Sequence, residues 1–292
     1  MKTTTRLLTP LALIAALACQ KGPTMAPMSA AKPVKAVEAP AKPAKASNSF
    51  ANDAEALAMA ARYLPAKPVI LEAGSYDGQT ALAMVKRWPD ATVYSFEPVP
   101  ELFAIVKKNT APFPNIHASD LALSDKAGTA VFHLSAMQGK PDTSLGSGSL
   151  LEPSHHLEGF PWIKFDKTIT VTTTTMDDWA KAHRVKKIDF LWLDVQGAEF
   201  PILKAAPHIM KSVTVVMTEV EFLEMYKGQA LYAEMKPWFE AQGFEQVAAD
   251  FDSSAPKQAN LKTRRATSWY GNALFARKES NAAGTVPATH SR

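Results

Sequence analysis

Residues 69–98, VILEAGSYDGQTALAMVKRWPDATVYSFEP, constrain the chain more than any other stretch. Val69 to Ala73 is a short apolar run with Glu72 near its end. Gly74 and Gly78 follow, and then an amphipathic segment carries Ala81, Leu82, Met84, Val85 and Trp88 on one side. This reads as strand, tight turn and helix. Ala91 to Phe96 reads as a second strand, stopped at Glu97-Pro98. Glycine lets a backbone turn with positive φ and approach a ligand closely, and the free amides of a first helical turn face outward. An acidic residue closing the next strand stands at the rim of an open α/β sheet, where it can accept hydrogen bonds from ribose hydroxyls. The pattern therefore predicts a nucleoside-containing cofactor.

Spacing narrows the choice. The dinucleotide fingerprint G-x-G-x-x-G is absent, because Glu72-x-Gly74-x-x-x-Gly78 lacks its first Gly-x-Gly. That argues against a nicotinamide oxidoreductase, and no Walker lysine is present to grip a nucleotide phosphate. An anionic side chain two residues before the first glycine can hold a cation such as a sulfonium-bearing amino acid. In this the loop resembles the S-adenosylmethionine loop of Rossmann-like methyltransferases; an ordinary βα turn with a surface glutamate is the plainer reading.

Charge separates the chain into parts. The first fifty residues hold seven basic side chains and one acidic, more than the net +4 of the whole chain, so residues 51–292 are net acidic. The globular part thus has no nucleic-acid footprint. Lys2 and Arg6 precede the apolar run Leu11–Ala18, too short to remain as a membrane-spanning helix. With small residues at its end it reads as a secretory signal, and Ala15-Ala16-Leu17-Ala18-Cys19 resembles a bacterial lipobox, except that Ala16 takes the usual leucine's place. The expectation is a signal peptide over 1–19 and a membrane tether through a lipidated Cys19, then an Ala/Pro/Lys linker over 20–50. A domain over 51–278 and a frayed tail over 279–292 complete the division. Export sits awkwardly with a cytosolic cofactor; a start at Met25 or Met28 would leave the protein in the cytoplasm. Cys19 is the single cysteine, so one chain cannot form a disulfide.

The rest of the chain alternates helix and strand. A helix is expected over Ala54–Tyr63, another over Pro100–Asn109, and strands over Asn115–Ala118, Thr129–Leu134 and Ile169–Thr175. Residues 137–167 lose periodicity and read as a long lid or surface loop, carrying His155, His156, Phe160 and Trp162. Asp177 and Asp178 then open a helix, where carboxylates suit the dipole. Strands over Ile188–Leu193 and Val213–Met217 end in Asp194 and in Thr218-Glu219-Val220-Glu221. A helix over Tyr232–Gln242, a strand over Phe244–Ala248, a polar loop over Ser253–Arg265 and a last strand over Thr267–Ala276 follow.

Four stretches in order, ILEAGSYDGQT (70–80), SFEPVPE (95–101), ALSDKAG (122–128) and FLWLDVQGAEFPILKAA (190–206), resemble the FkbM-type methyltransferase family. The resemblance implies an α/β fold: a Rossmann-like seven-stranded sheet with helices on both faces and the last strand antiparallel. It implies S-adenosyl-L-methionine as cofactor and O-methylation of a hydroxyl on a sugar or small natural product. Carried over residue by residue, Glu72, Gly74 and Gly78, with Tyr76 and Asp77 between them, would hold the cofactor's amino-acid end. Glu97, beside Pro98, would bind the ribose, and Asp120, Leu121 and Ala122 would lie near adenine. Asp194 and Glu219 are the catalytic candidates, as a base or positioning pair for the acceptor hydroxyl. Neither needs a metal, though paired carboxylates can bind one. The family's first loop usually reads Asp-x-Gly-Ala-Asn-x-Gly, so Tyr76 stands at its asparagine. Its later motif usually reads Lys-Ile-Asp-x-Glu-Gly-x-Glu, so Trp192 replaces the lysine and Gln196 the first glutamate. The competing expectation is a surface-tethered binder that kept the fold and lost the chemistry.

Overall fold

The computed structural model describes residues 48–144, 146–252 and 269–278. The expected signal peptide, most of the linker, Cys19, the polar loop from Ser253 and the tail from 279 lie outside the described residues. Helix α1 (Asp53–Ala60) opens the fold, capped by Asn52, whose side chain accepts from Glu55 N–H. It ends three residues before the expected Tyr63. Strand β1 (Val69–Ala73), α2 (Gln79–Arg87), β2 (Thr92–Phe96), α3 (Pro100–Thr110) and β3 (Ile116–Ser119) then follow the predicted rhythm. Pro100 sits in the first turn of α3, where a missing N–H does no harm.

The chain continues through β4 (Ala122–Leu123), β5 (Gly128–Met137), β6 (Lys140–Ser144), the short helix α4 (His156–Gly159) and β7 (Ile163–Thr174). These strands form a second sheet, in the order β4-β7-β5-β6, with β5 antiparallel to β7. The expectation of one irregular loop over 137–167 is corrected here. Its ends are the continuations of β5 and β7, which pair as far as Met137 with Ile163. Charged and polar side chains conceal that pairing in the sequence, because only one face of the ribbon packs on the domain.

Helix α5 (Met176–Ala182), β8 (Phe190–Leu193), α6 (Glu199–Lys204), a 3-10 turn (Ile209–Lys211), β9 (Val215–Glu221), α7 (Tyr232–Ala241), β10 (Phe244–Ala249) and β11 (Tyr270–Arg277) complete the domain. Thr175 caps α5, whereas the Asp177 carboxylate accepts from the N–H groups of His208 and Ile209 and so caps the 3-10 turn. Strand β9 runs four residues past the expected Met217, so Glu219 lies within it rather than beyond its end.

The main sheet has the order β3-β2-β1-β8-β9-β11-β10. Strand β11 is antiparallel to both neighbours, and the remaining pairs are parallel. This is the predicted seven-stranded sheet. Side chains alternate across it. Ile70, Phe190, Trp192 and Met217 pack on one face with α1 and α2, while Leu71, Ala73, Leu191, Leu193 and Val216 pack on the other with α5, α6 and α7. Strand order reverses between β1 and β8, so the chain leaves their carboxyl ends in opposite directions and opens a crevice there. The second sheet covers part of this crevice, with Phe132 and Val171 packed against Val99, Leu102 and Ala122.

Candidate functional site

The crevice holds a cavity of about 220 Å³. Gly74, Tyr76, Glu97, Pro98, Leu121, Ala122 and Asp194 line it, seven of the twelve residues singled out from the sequence. Asp77 lines an adjoining surface groove, and Glu219 a second cavity. Glu72, Gly78 and Asp120 border none of these spaces.

Alternation along β1 explains Glu72. It shares the face of Ile70, turned toward α2, whereas Ala73 faces the cavity. Its carboxylate is fully buried and accepts from Ser75 Oγ (2.9 Å) and Ser95 Oγ (2.6 Å), so it braces the loop from behind. Burial raises its pKa, with the two hydroxyls opposing. Gly74 is required by the protein's own backbone. Its φ is +86°, and a Cβ there would stand 1.8 Å from the Asp194 carbonyl oxygen. Gly78, at φ +82°, caps α2 where a Cβ would meet Thr110 of α3 at 3.2 Å. Both glycines are thus required by packing within the protein, and Gly74 also lines the cavity. Asp77 closes a local turn by accepting from Gln79 N–H, and Asp120 is exposed.

Glu97 stands at the rim as expected. Its two oxygens accept from Tyr76 N–H (2.9 Å) and Val99 N–H (3.0 Å), which ties the glycine loop to the end of β2. Burial pushes its carboxyl up to about 7 against those hydrogen bonds. Tyr76 adopts a left-handed conformation, φ 55°, with its ring on the surface between cavity and groove.

Asp194 follows β8 directly. The register pairs Leu193 with Thr218, which brings Asp194 beside Glu219. Gln196 joins them: its Nε2 donates to Asp194 Oδ1 (2.9 Å) and to Glu219 Oε2 (2.8 Å). The hydroxyl of Tyr226 is shared between Gln196 Oε1 (2.9 Å) and the Ser147 carbonyl (2.8 Å). Asp194 has surface open to the crevice, yet protein surrounds it, and the lost hydration raises its carboxyl. Glu219 is pushed well above the carboxylate range by burial, then by the charges of Asp194, Glu221 and Glu199. Glu199 accepts from Val195 N–H (2.8 Å) and is raised to about 7, chiefly by burial. Among the described residues no cluster of His, Cys, Asp or Glu has the arrangement of a metal site.

The model of the methyltransferase FkbM domain matches residues 72–245, more than half of the chain. The chain belongs to the FkbM methyltransferase family. It is an enzyme that uses S-adenosyl-L-methionine as methyl donor. The reading as a binder without chemistry gives way to that membership. The 2-O-methyltransferase NoeI of Sinorhizobium fredii (strain NBRC 101917 / NGR234) is 34% identical over 162 residues, 56% of this chain and 67% of that protein. Methyltransferase sdnD of Sordaria araneosa is 24% identical over 225 residues, 69% of this chain and 83% of that one. Among solved structures, the N-terminal domain of EvdMO1 with SAH bound superposes with a TM-score of 0.41 at 9% identity, covering 77% of this chain and 81% of that one.

The cavity of this FkbM-family enzyme fits its donor. One wall is apolar, built from Phe96, Leu102, Phe132 and Leu150, and suits a flat base; the carboxylate of Glu97 stands at the rim for a diol. Sequence reasoning missed Phe132, Leu134, Ser135 and the 146–150 segment, which reach the cavity from the second sheet and the loop after it. The alternation of Phe132 and Leu134 was the available signal. Nothing local marks Tyr226. Trp192, at the family's lysine position, is a core residue on the α2 face, 6.2 Å from the Phe190 ring.

Proposed function

We propose that this methyltransferase methylates a hydroxyl of a sugar or small natural product, with Asp194 and Glu219 managing the hydroxyl proton. The observation that carries the reading is the Gln196 bridge. One amide links Asp194, on the wall of the 220 Å³ cavity, to Glu219, on the wall of a neighbouring cavity of about 170 Å³. The 2-O-methyltransferase activity in the name of the rhizobial relative supports oxygen as the acceptor atom.

S-adenosyl-L-methionine supplies an electrophilic methyl group. Glu97 accepts hydrogen bonds from the ribose hydroxyls, and Pro98, Leu121 and Ala122 flank the base together with Phe132. Gly74 and Tyr76 border the amino-acid end, with Asp77 at the outer edge. Glu72 and Gly78 act through the loop they brace rather than by touching the donor. The acceptor enters the second cavity and presents its hydroxyl at the bridge. Burial raises both carboxyls, which makes their ionised forms stronger bases toward an alcohol that loses its proton as the new bond forms. In-line alignment of donor and acceptor supplies much of the remaining rate.

Labelled S-adenosyl-L-methionine incubated with a panel of saccharides and hydroxylated small molecules tests the proposal. The expected product is an O-methyl ether, with formation reduced about 10²-fold or more in Asp194→Asn. Label on nitrogen or sulfur, or full activity in Asp194→Asn, would refute it. We also propose that residues 1–19 direct export and that Cys19 is lipidated, on the strength of the sequence pattern alone. Equal palmitate labelling of the wild type and Cys19→Ser would exclude lipidation there.

A further inference from the structure

The second cavity has a wall that methyl transfer does not use. Glu221 and His156 both line it and are 2% and 3% exposed. Glu221 Oε2 and His156 Nδ1 have no partner in hydrogen-bonding geometry, although the Gln229 amide lies near the Glu221 carboxyl. Buried polar atoms are almost always paired, and an orphan costs about 1–3 kcal/mol. Two orphans on one small cavity mark a place where a ligand completes the bonding.

The ligand's character follows from charge and ring content. Glu219 and Glu221 are two residues apart on β9, so both project from the same face of the strand. No lysine or arginine is among the described residues lining the cavity. The rings of Phe160, Tyr226 and Tyr270 complete the wall, and His156 lies against Phe160 and Tyr226 at 4.8 and 5.4 Å between centroids. Burial and their neighbours' charges raise both carboxyls, and an ammonium supplies the missing counter-charge that favours their ionised forms: it donates to the carboxylates and lies over the aromatic rings. Burial pushes the His156 imidazole down to about 4, so it is neutral at pH 7 and can accept from an N–H without repelling the cation.

We propose that this cavity binds a protonated amine on the methyl acceptor, held by Glu221 and His156, so that a neighbouring hydroxyl meets Asp194 and Glu219. The acceptor class is then an amino alcohol or amino sugar. This rests on the cavity being the acceptor site of the reaction proposed above.

The test uses the full chain saturated with S-adenosylhomocysteine at neutral pH, titrated with 2-aminoethanol and, in parallel, with ethylene glycol. The pair differ only in exchanging a hydroxyl for an ammonium. 2-Aminoethanol is expected to bind about tenfold more tightly or better, and Glu221→Gln to remove that preference while leaving S-adenosylhomocysteine affinity unchanged. If Glu221→Gln does not fold, Tyr270→Leu at the half-buried mouth serves instead, with an expected loss of about fivefold for the amine. Equal affinity for the two probes, no binding of the amine, or an unchanged preference in the variant that folds would overturn the proposal. Failure of the protein to bind S-adenosylhomocysteine would instead strike the reading of the donor site, which separates the two failures.

Discussion

Replacing Gln196 by glutamate restores the residue that the family's motif usually carries, and the structure predicts that this chain no longer tolerates it. The amide donates both of its protons to carboxylates, Asp194 at 2.9 Å and Glu219 at 2.8 Å. Burial raises the carboxyls of Asp194 and Glu219, which favours their neutral forms at low pH, where Gln196→Glu loses only neutral hydrogen bonding, about 1 kcal/mol. Above that pH the new carboxyl faces two others. Its folded-state pKa is raised above the unfolded value, so stability present below about pH 4.3 is lost as pH rises, by about 1.4 kcal/mol per unit. The loss levels off once repulsion is fully expressed, near ~4 kcal/mol for a pair of charges about 4 Å apart at an effective dielectric of about 20. For a domain of this size the variant should melt about 10 °C or more below the wild type at pH 8 and only a few degrees below it at pH 4. Calorimetric melts of both proteins across that range test this. A difference in Tm that does not widen with pH would show that Gln196 is not holding two carboxylates together.

Three further outcomes follow from the same geometry. Gly74→Ala would drive a Cβ to 1.8 Å from the Asp194 carbonyl at a positive φ, so it should lose about 4 kcal/mol or more of stability, or not fold, by denaturant titration. Glu97, raised to about 7 in the free protein, must be ionised to accept from both ribose hydroxyls, so S-adenosyl-L-methionine affinity should fall roughly tenfold per unit below about pH 7 and level off above it. Calorimetric titration from pH 5.5 to 8.5 reads this, and a flat profile would exclude Glu97 as the ribose acceptor. Trp192→Lys buries an ammonium among Phe190, Met217 and Ala81 on the α2 face and should destabilise by about 3 kcal/mol or more, with a clear drop in Tm, even though lysine is the family's residue.

Much of the fold could be read from local pattern. The apolar run before Gly74, the helical spacing after Gly78 and the stop at Pro98 delimit β1, α2 and β2 within a residue or two. Segment 137–167 could not be read this way. Strands β5 and β7 meet only because residues far apart in the chain pair, from Met137 with Ile163 to Gly128 with Thr173, and polar side chains on the outer face mask the alternation. The extension of β9 to Glu221 likewise depends on β11, which pairs with it along its whole length from fifty residues downstream.

The site divides along the same line. Sequence alone pointed to the kind of cofactor, through a bend after the first strand and an acid closing the second, both consequences of local backbone chemistry. Tertiary structure decided what each residue does there. Glu72 braces the loop through Ser75 and Ser95, because strand alternation directs it to the α2 face. Gly74 is glycine because the Asp194 carbonyl lies against it, and Gln196 matters because the register of β8 and β9 brings two carboxylates within reach of one amide. Contacts of that kind join chain segments far apart in sequence, and no local pattern records them.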